Sequence, residues 1–130
     1  MKYIKRYKLF ENHYDGTHWA DNFNGKDVDI TIQDVEEYIK NEPIIEIPVA
    51  EIKQKSIHKD KTDEATLKRA AASDLSFPII IAKNLDGSYG MILDGHHRLQ
   101  KAINTNQETI KAKVLDLKSA PDEYKFVFRP

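Results

Sequence analysis

Asp94-Gly95-His96-His97-Arg98 places a carboxylate, a glycine, two imidazoles and a guanidinium in consecutive positions. The run Tyr89-Gly90-Met91-Ile92-Leu93 before it reads as a strand, and Leu99, Ala102 and Ile103 after it follow a helical spacing. The five residues therefore stand where a strand gives way to a helix. A helix start leaves backbone N–H groups unpaired and carries partial positive charge, so it favours an anion. Gly95 lets backbone approach a ligand with no Cβ between them. Arg98 can hold phosphate oxygens through two parallel hydrogen bonds, and Asp94 can hold a metal ion or orient a histidine. The chemistry this pattern suits is phosphate or nucleotide binding. The plainer alternative is an ordinary helix start in which Asp94 caps and both histidines face solvent.

Other residues invite weaker assignments. Glu46 and Glu51 flank a strand upstream, where one could accept a hydroxyl proton in phosphoryl transfer; otherwise they are solvated strand-end carboxylates. Glu64 suits the first turn of a helix, as a partner of its dipole. His58 sits in a surface loop, and Lys53, Lys55, Lys59 and Lys61 form a basic stretch that either steers a polyphosphate or is simply solvated. His13, Asp15, His18 and Asp21 match no ordinary zinc spacing. Trp19, with Phe10, Tyr14 and Phe23, either stacks on a base or forms a small apolar core.

The elements that must position these groups are legible in outline. Thr31 is a good N-cap with Asp34 at the capping-box position, and Val35, Tyr38 and Ile39 keep one face of a helix stopped by Pro43. Residues 12–26, with the turn signals Asp15-Gly16 and Asn24-Gly25, are expected to form a loop pinned by aromatics. Ile44–Val49 predicts a strand that Pro48 confines to an edge. Thr62 caps a second helix with Leu67, Ala70 and Ala71 as its apolar stripe. Ile79-Ile80-Ile81 reads as a buried strand, and Leu85-Asp86-Gly87-Ser88 as a hairpin turn into the next. Ile110–Leu117 alternates Ile110, Ala112 and Val114 with Lys111 and Lys113, which predicts one buried and one wet face. Tyr124–Arg129 alternates too, and is expected to add an edge strand to the sheet or to a partner.

Composition bounds the rest. A chain of 130 residues makes one domain, and 40% hydrophobic with 32% charged residues is a soluble globular balance. Twenty Lys and Arg against 21 Asp and Glu, net −1, argue against a protein living mainly on a nucleic-acid backbone. The absence of cysteine rules out thiolate chemistry and Cys-ligated metals. No apolar run approaches the roughly 20 residues of a membrane span, and Met1–Arg6 lacks the apolar core of a signal peptide. A cytoplasmic protein with no membrane partner is expected.

From Ile44 to Leu117 the sequence resembles the ParB/sulfiredoxin superfamily, in particular the branch whose signature is Asp-Gly-His-His-Arg. The matching features, in the family's order, are Pro48, Val49 and Ile52, a helix, Pro78–Ile81, the turn, Ile92–Leu99 with Ala102, and a closing strand. The resemblance implies a compact mixed α/β (α+β) fold, with residues 43–118 as core, 1–42 as an N-terminal extension packed on it and 119–130 as a tail. It also implies ATP or ADP, or another nucleoside triphosphate, with Mg2+. Gly95, His96, His97 and Arg98 would contact phosphate, and Asp94 would support the loop or the metal. His97 and Arg98 would act in catalysis with a carboxylate, for which Glu51 or Asp60 is the candidate, on a small-molecule or protein phosphoryl acceptor.

Two departures shape that expectation. Sulfiredoxin itself needs a cysteine where this chain has His96, so sulfinic acid reduction is excluded. The free serine kinase branch uses a glutamate shortly after the first strand as general base, whereas residues 52–63 contain none. The leading expectation is thus phosphoryl transfer or nucleotide hydrolysis. The alternative is a non-catalytic nucleotide- or DNA-associated adaptor or an inhibitory factor of a mobile element, with a nuclease third. The partition proteins of the superfamily carry a helix-turn-helix segment after this domain, which residues 119–130 are too short to provide.

Overall fold

The structure, a computed structural model, describes residues 17–56 and 64–130. It is a mixed α+β fold with two small sheets and, among the described residues, five α-helices. Strands β1 (His18–Phe23) and β2 (Lys26–Thr31) pair antiparallel, with Phe23 opposite Lys26. Asn24 and Gly25 join them at φ 53° and 80°, the two positive angles that a tight hairpin turn needs. This corrects the expected loop: Asp21, Asn22, Asp27 and Asp29 are poor strand formers, and they mask the alternation in which Val28 and Ile30 are buried. His13, Asp15-Gly16, Phe10 and Tyr14 lie outside the described residues.

Helix α1 (Ile32–Tyr38) starts as the sequence predicts. Asp34 N–H donates to Thr31 Oγ1 at 3.1 Å, and Thr31 N–H donates to Asp34 Oδ2 at 2.9 Å, a reciprocal capping box. Strand β3 (Ile45–Pro48) follows, then α2 (Val49–Ile52), a 3₁₀ turn over Lys53–Lys55, and α3 (Glu64–Ala72). Thr62 lies outside the described residues. Of the stripe expected on α3, Ala70 is buried, while Leu67 is 43% exposed and Ala71 also faces out. Thr66, one turn before Ala70, takes the inner position instead.

Strands β4 (Ile79–Lys83) and β5 (Tyr89–Asp94) form a hairpin closed by Asn84 N–H donating to Ser88 O at 2.8 Å. Helix α4 (His96–Asn104), strand β6 (Thr109–Asp116) and helix α5 (Asp122–Val127) complete the chain. The four-stranded sheet runs β3-β6-β4-β5, with β6 parallel to β4 and antiparallel to β3. β3 is an edge strand, where the missing N–H of Pro48 costs little.

β4 is buried on both faces, which explains its unbroken apolar run. Ile79 and Ile81, with Ile92, Ile110 and Ala112, pack under Leu99 and Ala102 of α4 and Ile52 of α2. Ile80 and Ala82, with Leu93, Leu115 and Leu117, pack on the other side against Val28, Ile30, Val35 and Ile39. The second face of β6 is thus only partly wet: exposed Lys111 gives way along the strand to buried Leu115. Residues 122–127 form α5 rather than an edge strand. Tyr124, Val127 and Phe128 keep helical spacing, Pro121 opens the helix, and Asp122 and Glu123 complement its dipole. Trp19 meets Phe128 edge-on with ring centroids 5.0 Å apart, and Phe23 meets Phe126 at 5.2 Å. Among the described residues no helix is long and apolar enough to cross a membrane.

Phe128 is 1% exposed and closes the second core. Phe128→Ala is expected to lose about 3–5 kcal/mol of unfolding free energy, read from urea midpoints at unchanged slope. A loss below about 1 kcal/mol would mean that α5 is not integral to the core.

Candidate phosphate-binding site

The edge strand β5 must turn sharply to send α4 back across the sheet. Gly95 makes the turn at φ +100°, in the left-handed region. A Cβ there would lie 2.6 Å from Ile79 Cγ2 and 3.0 Å from Ile79 Cβ, so the corner sits directly on β4. Leu99 N–H donates to the Gly95 carbonyl at 2.9 Å, the first bond of the helix. The amides of His96, His97 and Arg98 precede that bond, and no side chain caps the helix start. Asp94 does not take the cap that the plainer reading gave it. Its Oδ2 instead lies 3.6 Å from Arg98 Nη1.

Arg98 has half its work settled by the fold. Its Nη1 donates to the Pro78 carbonyl at 3.0 Å, which fixes the guanidinium beside the corner and leaves further donors on the same group. Asp94, Gly95, His96, His97 and Arg98 are all half-buried, so the structure brings the five together as a partly accessible corner.

Two clefts open on either side of it. Asp94 and Arg98 line one of about 260 Å³, with Glu36, Lys40, Phe77 and Lys113. His96 lines the other, about 450 Å³, with Trp19, Lys55, Asn84 and Met91. His97 lines neither. Burial pushes the His96 imidazole below its ordinary 6.5, with His97 adding to the effect, while a hydrogen bond with the Ile92 backbone and the charge of Asp94 oppose it.

Glu36 is the residue that sequence reading missed. It is exposed at the rim of the smaller cleft, where partial covering raises its carboxyl above the usual value, the Asp94 charge raises it further, and Arg98 pulls it back. Val35 and Ile39 are buried and orient α1, but nothing in their spacing says which strand end the helix crosses. That depends on how the hairpin docks.

The remaining candidates are dispersed. Glu51 is exposed on α2 and lines neither cleft; its backbone carbonyl accepts from Gln54 Nε2 at 3.1 Å. Exposed Glu46 accepts from Thr109 Oγ1 at 2.7 Å. Glu64 pairs with Lys68 at 3.4 Å on a solvated helix face. Lys55 reaches the larger cleft, Lys53 is exposed, and His58, Lys59, Asp60 and Lys61 lie outside the described residues. His18 and Asp29 bond across the hairpin at 2.8 Å, while Asp21 pairs with Arg129 at 3.2 Å. The Asn22 amide, with Arg129, holds the Asp21 carboxyl below its usual value. Among the described residues no group of three or more His, Asp or Glu could hold a metal ion by itself.

No protein-family model matches the chain, and no curated protein matches it. The corner's own chemistry therefore carries the functional reading.

Two outcomes check this geometry. Gly95→Ala is expected to cost roughly 2–4 kcal/mol, from the positive φ and the contact with Ile79 together, in denaturant unfolding. For His96 the unfolded chain takes up a proton near 6.5 and the folded chain only lower, so stability falls as pH drops through that window. The decline from about pH 7 to about pH 5 should shrink in His96→Gln.

Proposed function

We propose that this chain is a nucleotide-binding protein of the ParB/sulfiredoxin kind, and that it carries out phosphoryl transfer or nucleotide hydrolysis at the start of α4. The observation that supports this most directly is the uncapped helix start, with three amides ahead of the first intrahelical bond. The same chain caps α1 with a reciprocal pair of hydrogen bonds. At α4 it leaves that place to a glycine and sets an arginine beside it. Such a terminus favours the phosphates of a ligand. The order of hairpin, corner, helix and closing strand is also the order that the resemblance implies.

The clefts suit a division of labour. Small-molecule sites usually occupy about 300–1,000 Å³, and the cleft of about 450 Å³ on the His96 side falls in that range. The Trp19 indole on its wall offers a face for a base, and Lys55 offers charge for phosphate. The phosphates then lie at Gly95–Arg98. There His97 and Arg98 neutralise charge that develops on the transferred group, and Asp94 holds the guanidinium in orientation.

The Asp94 carboxylate fits Mg2+ as a phosphate-borne ion. Asp94 is the residue that would hold it, since such ions commonly take one or two carboxylates plus substrate oxygens. When bound, the ion would neutralise charge on the phosphate oxygens.

Calorimetric titration with ATP, ADP, CTP and GTP, with and without Mg2+, tests the proposal. At least one nucleotide is expected to bind. Arg98→Ala should bind it more weakly and lose about 3 kcal/mol of transition-state stabilisation, roughly a hundredfold in kcat/KM. Because Arg98 also satisfies the Pro78 carbonyl, Arg98→Lys and a thermal melt separate lost folding from lost binding. Binding without turnover would favour the adaptor reading, and no binding by any of the four would end both.

A further inference from the structure

We infer that Glu36, on α1, is the catalytic carboxylate of this site, taking the proton from the water that attacks the terminal phosphate of a bound nucleoside triphosphate. The inference rests on the nucleotide reading above and replaces Glu51 in the role that sequence reading gave it.

Position argues for this first. Glu36 lines the cleft of about 260 Å³ together with Asp94 and Arg98, the two ends of the corner; Glu46 and Glu51 line neither cleft. The capping box and the buried Val35 and Ile39 hold α1 in place, so Glu36 is carried on a fixed element rather than a loop.

The charges that face Glu36 leave it able to accept a proton. The nearby lysines are occupied elsewhere: Lys40 Nζ lies 2.7 Å from Glu37 Oε1, and Lys113 Nζ donates to the Lys40 carbonyl at 3.1 Å. Arg98 lies 3.6 Å from Asp94 and bonds the Pro78 carbonyl. Glu36 is itself exposed at the cleft rim; its partial covering and the like charge of Asp94 both raise its carboxyl, against the opposing pull of Arg98.

The cleft is small for a second organic substrate beside a phosphate, since ligand sites usually begin at about 300 Å³. It has room for a phosphate end and water.

The step balances. The water oxygen forms a bond to the terminal phosphorus, and its proton passes to a Glu36 carboxylate oxygen. The bond from that phosphorus to the bridging oxygen breaks, and its electron pair leaves with the nucleoside diphosphate. Glu36 then returns the proton to solvent as phosphate departs.

The test uses the full chain with ATP and Mg2+, measuring binding by calorimetry and phosphate release by a colorimetric assay. Glu36→Gln is expected to bind ATP as the wild type does and to release phosphate roughly 10²–10⁴-fold more slowly. The wild-type rate should rise with pH as the carboxylate ionises, and that limb should vanish in Glu36→Gln. Glu42→Gln, an exposed carboxylate just beyond α1 that lines neither cleft, should behave as wild type, which excludes a general effect of charge near α1. Wild-type turnover in Glu36→Gln, or a loss confined to Glu51→Gln, overturns the inference while the nucleotide reading stands. ATP binding with no phosphate release from the wild type also overturns it and leaves that reading intact. Failure of the wild type to bind ATP, CTP or GTP removes both.

Discussion

The close approach of Gly95 to Ile79 is the constraint on which the rest of the arrangement depends. In this chain a single residue joins the edge strand to the helix that crosses back over its sheet, and that residue takes a left-handed conformation with no space for a side chain. Gly95 meets both conditions, with the neighbouring β-branched residue filling the space where a Cβ would stand. The helix that starts there seats Leu99 and Ala102 in the core, and no side chain caps its first turn. The guanidinium of Arg98 is then drawn to the Pro78 carbonyl just ahead of β4. β4 and the proline just ahead of it thus supply the floor of the corner and the brace for its arginine.

β4 can do this because it is covered on both faces. Ile79 and Ile81 face the helices, and Ile80 and Ala82 face the hairpin, α1 and the residues around α5. Without the second layer, Ile80 and Leu115 would be wet, and a four-stranded sheet of this size would have one poorly protected side. Residues 18–39 and 122–128 are therefore not ornaments on the site. They complete the core beneath it, and α1 brings a carboxylate to its rim.

Much of the corner was legible in the sequence, because its signals are local. A capping pair three residues apart, an Asp-Gly turn between two apolar runs, and a glycine between a strand run and a helical stripe each specify a backbone state within a few residues. What sequence reading missed depends on distant partners. The hairpin was hidden because Asp27 and Asp29 occupy strand positions that propensity disfavours, and pairing with β1 outweighs that preference. The segment from Tyr124 reads as alternating or helical with equal ease, and packing of Phe128 on Trp19 decides it. Glu36 and Asp94 are far apart in sequence, and only the docking of α1 places them on one cleft.

Asp21 and Arg129 pair across a separation of 108 residues, beside the contact of Trp19 with Phe128. Contacts between segments so far apart are non-local, and such contacts form slowly because the loop entropy is spent before the contact forms. The helical side of the sheet draws on residues 47–112 and can gather early. The opposite side must wait for Phe128, so a nascent or partly unfolded chain bares Ile80, Leu93 and Leu115 together, a sticky surface of the kind that chaperones shield.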